Sequence, residues 1–160
     1  MRSLLATFLI VSNIAAQEKS SDWSQRRTLP RWGRQEFSSH NLGRDYTVTY
    51  RIYPSYFRGD FNGDGRGDIA FFVENKISRK TGMVIIHGKR IQAIRTQYVV
   101  LGAGKPLEGA GDDLKWIAIW SLILERKADR ILGKQTPSTL RGDALKVERR
   151  EGKAGLIYWD

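Results

Sequence analysis

The segment Gly59-Asp60-Phe61-Asn62-Gly63-Asp64-Gly65-Arg66-Gly67-Asp68-Ile69 sets oxygen-bearing side chains at loop positions 1, 3, 5 and 9, counted from Asp60. Spacing of this kind lets a tight loop aim Asp60, Asn62, Asp64 and Asp68 inward, with the main-chain carbonyl of Arg66 at position 7 as a further donor. An all-oxygen set suits calcium, which takes six to eight oxygens at about 2.3 to 2.6 Å. Magnesium holds a stricter octahedron and gives up water reluctantly. Gly65 stands where the loop must turn sharply, at a backbone angle that a Cβ resists, and Gly63 and Gly67 loosen the neighbouring turns. Three carboxylates so close repel one another until a cation neutralises them, and the amide of Asn62 spares the loop a fourth charge. Asp60, Asn62, Asp64, Arg66 and Asp68 are therefore the expected calcium ligands.

In an EF-hand the twelfth loop position is a bidentate Glu, whereas here it is Phe71, so that motif is excluded. The flanks agree with strands: Tyr53, Pro54, Tyr56 and Phe57 precede the loop, and Ile69-Ala70-Phe71-Phe72-Val73 follows it. Together with Gly82-Met83-Val84-Ile85-Ile86-His87-Gly88, this segment resembles one FG-GAP or VCBS-type repeat, the calcium-loop unit of integrin-like β-propellers. The resemblance implies a loop joining two strands of a blade, with the metal held by the five positions already named. It covers about 30 of the 160 residues, and no second copy of the loop occurs. A blade needs about 40 to 50 residues and a propeller at least four blades, so only the loop and its strands carry over, not the whole propeller.

Other motifs read as structural. Arg-Gly-Asp occurs at Arg58 to Asp60, Arg66 to Asp68 and Arg141 to Asp143. Two copies spend their Asp on the metal loop, and the tripeptide arises easily in a chain rich in these residues. Gly102-Ala103-Gly104-Lys105 lacks the spacing of a phosphate-binding loop and reads as a turn, and Gly109 to Asp113 reads as a solvated acidic turn. His40 and His87 offer no metal-ligand spacing and no partner for a nucleophile. Glu74, Glu108, Asp112 and Asp113 are the carboxylates from which a glycoside-cleaving pair would have to come. Trp116, Trp120 and Trp159 lie in apolar runs and read as core, while Trp23 and Trp32 stand among arginines.

The elements that must hold the loop are mainly strands. Tyr46, Val48, Tyr50 and Ile52 alternate with polar residues, the period of a half-buried strand. The run over 69–73 is a central strand, 83–86 and 98–101 are further strands, and 144–148 with 156–159 form a hairpin around 149–155. The apolar stretch 114–124 fits strand or helix. Leu124, Ala128, Ile131 and Leu132, stopped by Gly133, give one short helix over 123–132. The expected fold is mainly β: a small antiparallel sheet or barrel-like domain with a strand-loop-strand calcium site.

The expected organisation is a signal peptide over 1–16, a polar Arg-rich linker over 17–44 and one β-rich domain over 45–160. Met1-Arg2 gives a positive start and Leu4 to Ala16 an apolar run of 13 residues, short of the roughly 20 that a spanning helix needs, so no transmembrane segment is expected once it is removed. The destination is secreted or periplasmic. Without cysteine the exported domain has no disulfide, which favours a metal as its stiffener. The end at Asp160, directly after an apolar strand, fits a natural terminus or a truncated sequence. The 27 Lys and Arg against 17 Asp and Glu give +10, of which only Arg2 leaves with the signal. A field of that sign attracts anionic glycans or cell-envelope components, and for an exported chain nucleic acid is disfavoured. The sequence thus points to a non-catalytic calcium-binding module with a structural or binding role. Its rivals are a secreted hydrolase with structural calcium and a basic binder of anionic glycan or envelope lipid.

Overall fold

The computed structural model describes residues 28–89, 96–124, 140–152 and 154–159. The expected signal over 1–16, the start of the linker, Trp23 and the helix positions 125–132 lie outside them. The described residues form one helix and two open antiparallel sheets that do not close into a barrel. In chain order these are α1 (Arg31–Ser39), β1 (Tyr46–Val48), β2 (Tyr56–Gly59), β3 (Asp68–Asn75), β4 (Thr81–Ile86), β5 (Tyr98–Gly102), β6 (Ile119–Ile123), β7 (Ala144–Glu148) and β8 (Ala154–Ile157). No described helix is long and apolar enough to cross a membrane.

Strand β3 organises the first sheet. Its edge partners β1 and β2 share one flank, with Val48 opposite Val73 and Tyr56 opposite Phe71, while β4 runs along the other flank and β5 follows it. Alternation sends its side chains into two cores. Ala70 and Phe72 face Trp120, Leu145 and Val147 of the second sheet, built from β6, β7 and β8. Ile69, Phe71 and Val73 face Leu29, Leu42 and the helix. The continuous apolar run that marks β3 in the sequence is therefore the signature of a strand covered on both sides.

Helix α1 falls inside the stretch expected to be a linker. Leu29, Gly33 and Phe37 recur every four residues and lie along one face, where Phe37 meets Phe71 edge-on at 5.9 Å and Gly33 lets Ile69 approach. The arginines that make this stretch look like linker stand on or beside an amphipathic helix. At its C-terminal end the Thr96 hydroxyl donates to Glu36 at 2.7 Å and lies 2.6 Å from His40 Nε2, which fixes the helix to the chain before β5.

The region 114–124 resolves into a short 3-10 turn at Leu114–Trp116 followed by β6, so Ile123 ends a strand where a helix was expected. Arg51 reaches across to this turn, donating to the carbonyls of Leu114 at 3.0 Å and Ile117 at 2.7 Å with its guanidinium over Phe72. Burial lowers its pKa from the ordinary arginine value, with Asp113 acting in the opposite direction. Trp120 is buried as expected and donates to the Pro54 carbonyl at 2.8 Å, whereas Trp159 is 40 % exposed.

Leu29 precedes the first helical turn yet is only 1 % exposed. Leu29→Ala should destabilise the protein by about 2 to 5 kcal/mol in urea unfolding, the cost of deleting a buried leucine. A change within about 0.5 kcal/mol, as a surface position would give, would return this stretch to a linker.

Candidate metal centre

Strands β2 and β3 pair with Gly59 opposite Asp68, so 60–67 is the connection of a hairpin. Along it, Asp60, Asn62, Asp64 and Arg66 are half-buried while Gly63, Gly65 and Gly67 are exposed, an alternation that separates donor residues from turn residues. Gly63 and Gly65 both take positive φ, +70° and +80°, as a sharp turn requires.

The oxygens at positions 1 and 3 converge on one amide: Asp64 N–H lies 3.0 Å from Asp60 Oδ1 and 3.1 Å from Asn62 Oδ1. Asp60 Oδ2 accepts from Gly65 N at 2.7 Å, and Asp64 Oδ1 accepts from Arg66 N at 3.0 Å. The Arg66 guanidinium sits 3.5 Å from Asp64 Oδ2. Amide hydrogens and the Arg66 guanidinium are among the groups that balance these carboxylates. Among the described residues no three His, Cys, Asp or Glu side chains assemble as a metal cage, so a cation here would draw on Asn62 and main-chain carbonyls as well.

Asp68 stands apart from the other four. Its side chain is fully buried, and a buried carboxylate must have its oxygens satisfied. Oδ2 accepts from Phe61 N at 2.9 Å and from His87 Nδ1 at 3.0 Å, and Oδ1 accepts from Gly88 N at 2.8 Å. Because a carboxylate can only accept, Nδ1 carries the histidine's proton. Nε2 is buried without a hydrogen-bond partner among the described residues. Trp159 stacks edge-on against the His87 ring at 4.9 Å. The lone histidine after β4 is buried against the loop. Its partner is the ninth residue of the loop, which spacing alone could not reveal.

The third Arg-Gly-Asp, Arg141 to Asp143, packs on the loop. Asp143 N donates to the Asp60 carbonyl at 2.7 Å, and Asp143 Oδ2 accepts from Asp60 N at 3.0 Å. With the partners 83 positions apart in the chain, no local pattern announces this contact. Three of the carboxylates considered for hydrolysis lie about the β3–β4 turn, each with a partner of its own. Glu74 pairs with Arg79 at 2.9 Å, Asp112 pairs with Lys80, and Asp113 accepts from the amides of Thr81 and Lys115. Glu108 lines a cavity of about 840 Å³ between the sheets, together with Phe61, Trp116, Asp143 and Arg149.

Asp68→Ala removes a buried acceptor from two amides and a histidine. With chelator present throughout, the expected loss is about 3 to 5 kcal/mol in denaturant unfolding. Unchanged stability under those conditions would mean that Asp68 acts only through a bound ion. Compared with protein-family models, curated proteins and solved structures, the chain matches none, so its site is described by its own geometry.

Proposed function

We propose that the chain is an exported, non-catalytic module whose β2–β3 loop binds calcium, the ion serving to staple the hairpin. The observation that carries this reading is the convergence of Asp60 and Asn62 oxygens on the Asp64 amide, beside the Asp64 carboxylate, in a loop whose glycines take the turning positions. Asp60, Asn62, Asp64 and the Arg66 carbonyl would hold the ion, and water completes the shell of a partly exposed site. Asp68 would contribute by closing the loop, since its oxygens already serve two amides and His87. The cation supplies charge balance and cross-linking, and calcium's tolerance of irregular oxygen sets suits a mixed group of side chains, carbonyls and water.

Export rests on the positive start and apolar run of Met1 to Ala16. In that setting a weak site suffices, and extracellular calcium modules work at about 10⁻⁴ to 10⁻³ M. The surplus of Lys and Arg makes an anionic glycan or envelope component the partner class such a module would meet.

At about 10 mM calcium a site of that affinity stabilises the fold by roughly 1.4 to 2.7 kcal/mol. For a chain of this size the melting temperature should rise by about 3 to 10 °C relative to chelator. Asp64→Ala should fold without calcium and lose that increment. Equal melting temperatures of the unsubstituted chain in calcium and in chelator would end the proposal.

A further inference from the structure

We infer that calcium binding at the β2–β3 loop and docking of the β6–β7–β8 sheet are one coupled event, with Gly142 and Asp143 as the positioning residues that join them. The inference rests on the calcium reading above and adds to it the way the site is regulated.

Asp60 has two roles at once. Its carboxylate faces the loop, accepting from Asp64 N and Gly65 N, while its own N–H and carbonyl are both held by Asp143. The first ligand position therefore cannot shift without pulling on Asp143. The next residue, Ala144, is fully buried and begins β7, the central strand of the second sheet.

The two segments also interlock sterically. A Cβ on Gly142 would lie 2.2 Å from the Asp60 carbonyl oxygen and 2.7 Å from Gly63 N. A Cβ on Gly63 would lie 1.7 Å from the Arg141 carbonyl oxygen, and on Gly59 it would lie 2.9 Å from Asp143 Oδ2. At Gly142 and Gly63 main chain meets main chain, so there the contact has no flexible side chain to absorb a displacement. Phe61, between two ligand positions, is buried in the core shared by the two sheets.

By linkage, whatever the docked sheet contributes to holding the loop closed, the ion returns to the docking of the sheet. Calcium should therefore order the second sheet as well as the loop, and the second sheet should raise the affinity of the site.

The test uses the purified full chain, with calcium titration calorimetry and amide hydrogen exchange followed with and without calcium. In the unsubstituted chain, calcium should slow exchange across 60–68 and also across 119–123 and 144–148. Gly142→Ala should weaken calcium binding by about tenfold, within the usual range of coupling between sites, and confine the protection to the loop. Asp143→Ala keeps the main-chain half of the clasp, so it decides the matter where Gly142→Ala does not fold, and it should weaken binding by a smaller factor. Arg149→Ala, on the β7–β8 connection and stacked on Trp116, should bind like the unsubstituted chain. Calcium binding by the unsubstituted chain with protection limited to 60–68, or clasp variants binding within about twofold of it, would overturn the coupling and leave the calcium site standing. Absence of calcium binding by the unsubstituted chain would instead remove the site and the coupling with it.

Discussion

The buried carboxylate of Asp68 is the constraint around which the rest of the structure is arranged. A carboxyl group with no exposure is tolerated only where its oxygens are satisfied, and those partners come from separate places. Phe61 N lies inside the loop, while Gly88 N and the His87 ring lie just beyond β4. Satisfying one side chain therefore closes the β2–β3 connection, fixes the exit of β4 and presents the His87 ring to Trp159 near the end of the chain. Removing any partner leaves charge or amide unpaired in a dry interior, so the arrangement is held as a set.

Asp68 is also the first residue of β3, and that strand transmits its placement to two cores. Ile69, Phe71 and Val73 pack towards α1, and Ala70 and Phe72 pack towards the second sheet. A slip of one residue would exchange the two sets, placing phenylalanine where alanine now fits. The hairpin register, with Gly59 opposite Asp68, and the anchoring of Asp68 itself exclude that slip from one end.

Local pattern revealed most of the strands and the loop. Continuous β-branched and aromatic runs mark β3 and β4, and the oxygen spacing with its glycines marks the turn. Helix α1 was hidden because its one buried residue is Gly33, with the buried Leu29 standing just before the helix and Phe37 partly buried. Gly33 carries no hydrophobic signal, and the arginines around it imitate a linker. The dual service of Asp68 was hidden because spacing treats positions 1, 3, 5 and 9 alike, while burial separates the ninth from the others. The contact of Asp143 with Asp60 was hidden by sequence distance, and its Arg-Gly-Asp context resembles chance. Trp159 shows the reverse error, since an apolar run near the end of the chain suggested core for a side chain that covers His87 and stays partly in solvent.

The separation of Asp68 from Asp60, Asn62 and Asp64 also bears on how such a loop can serve a fold without disulfides. One carboxylate is inside, with its oxygens on two amides and the His87 ring. The others sit half-exposed on loop amides, which are weak counter-charges easily exchanged for a cation. What a cation would add is stiffness at the point where Asp60 meets Asp143, the contact by which the hairpin of one sheet reaches the central strand of the other.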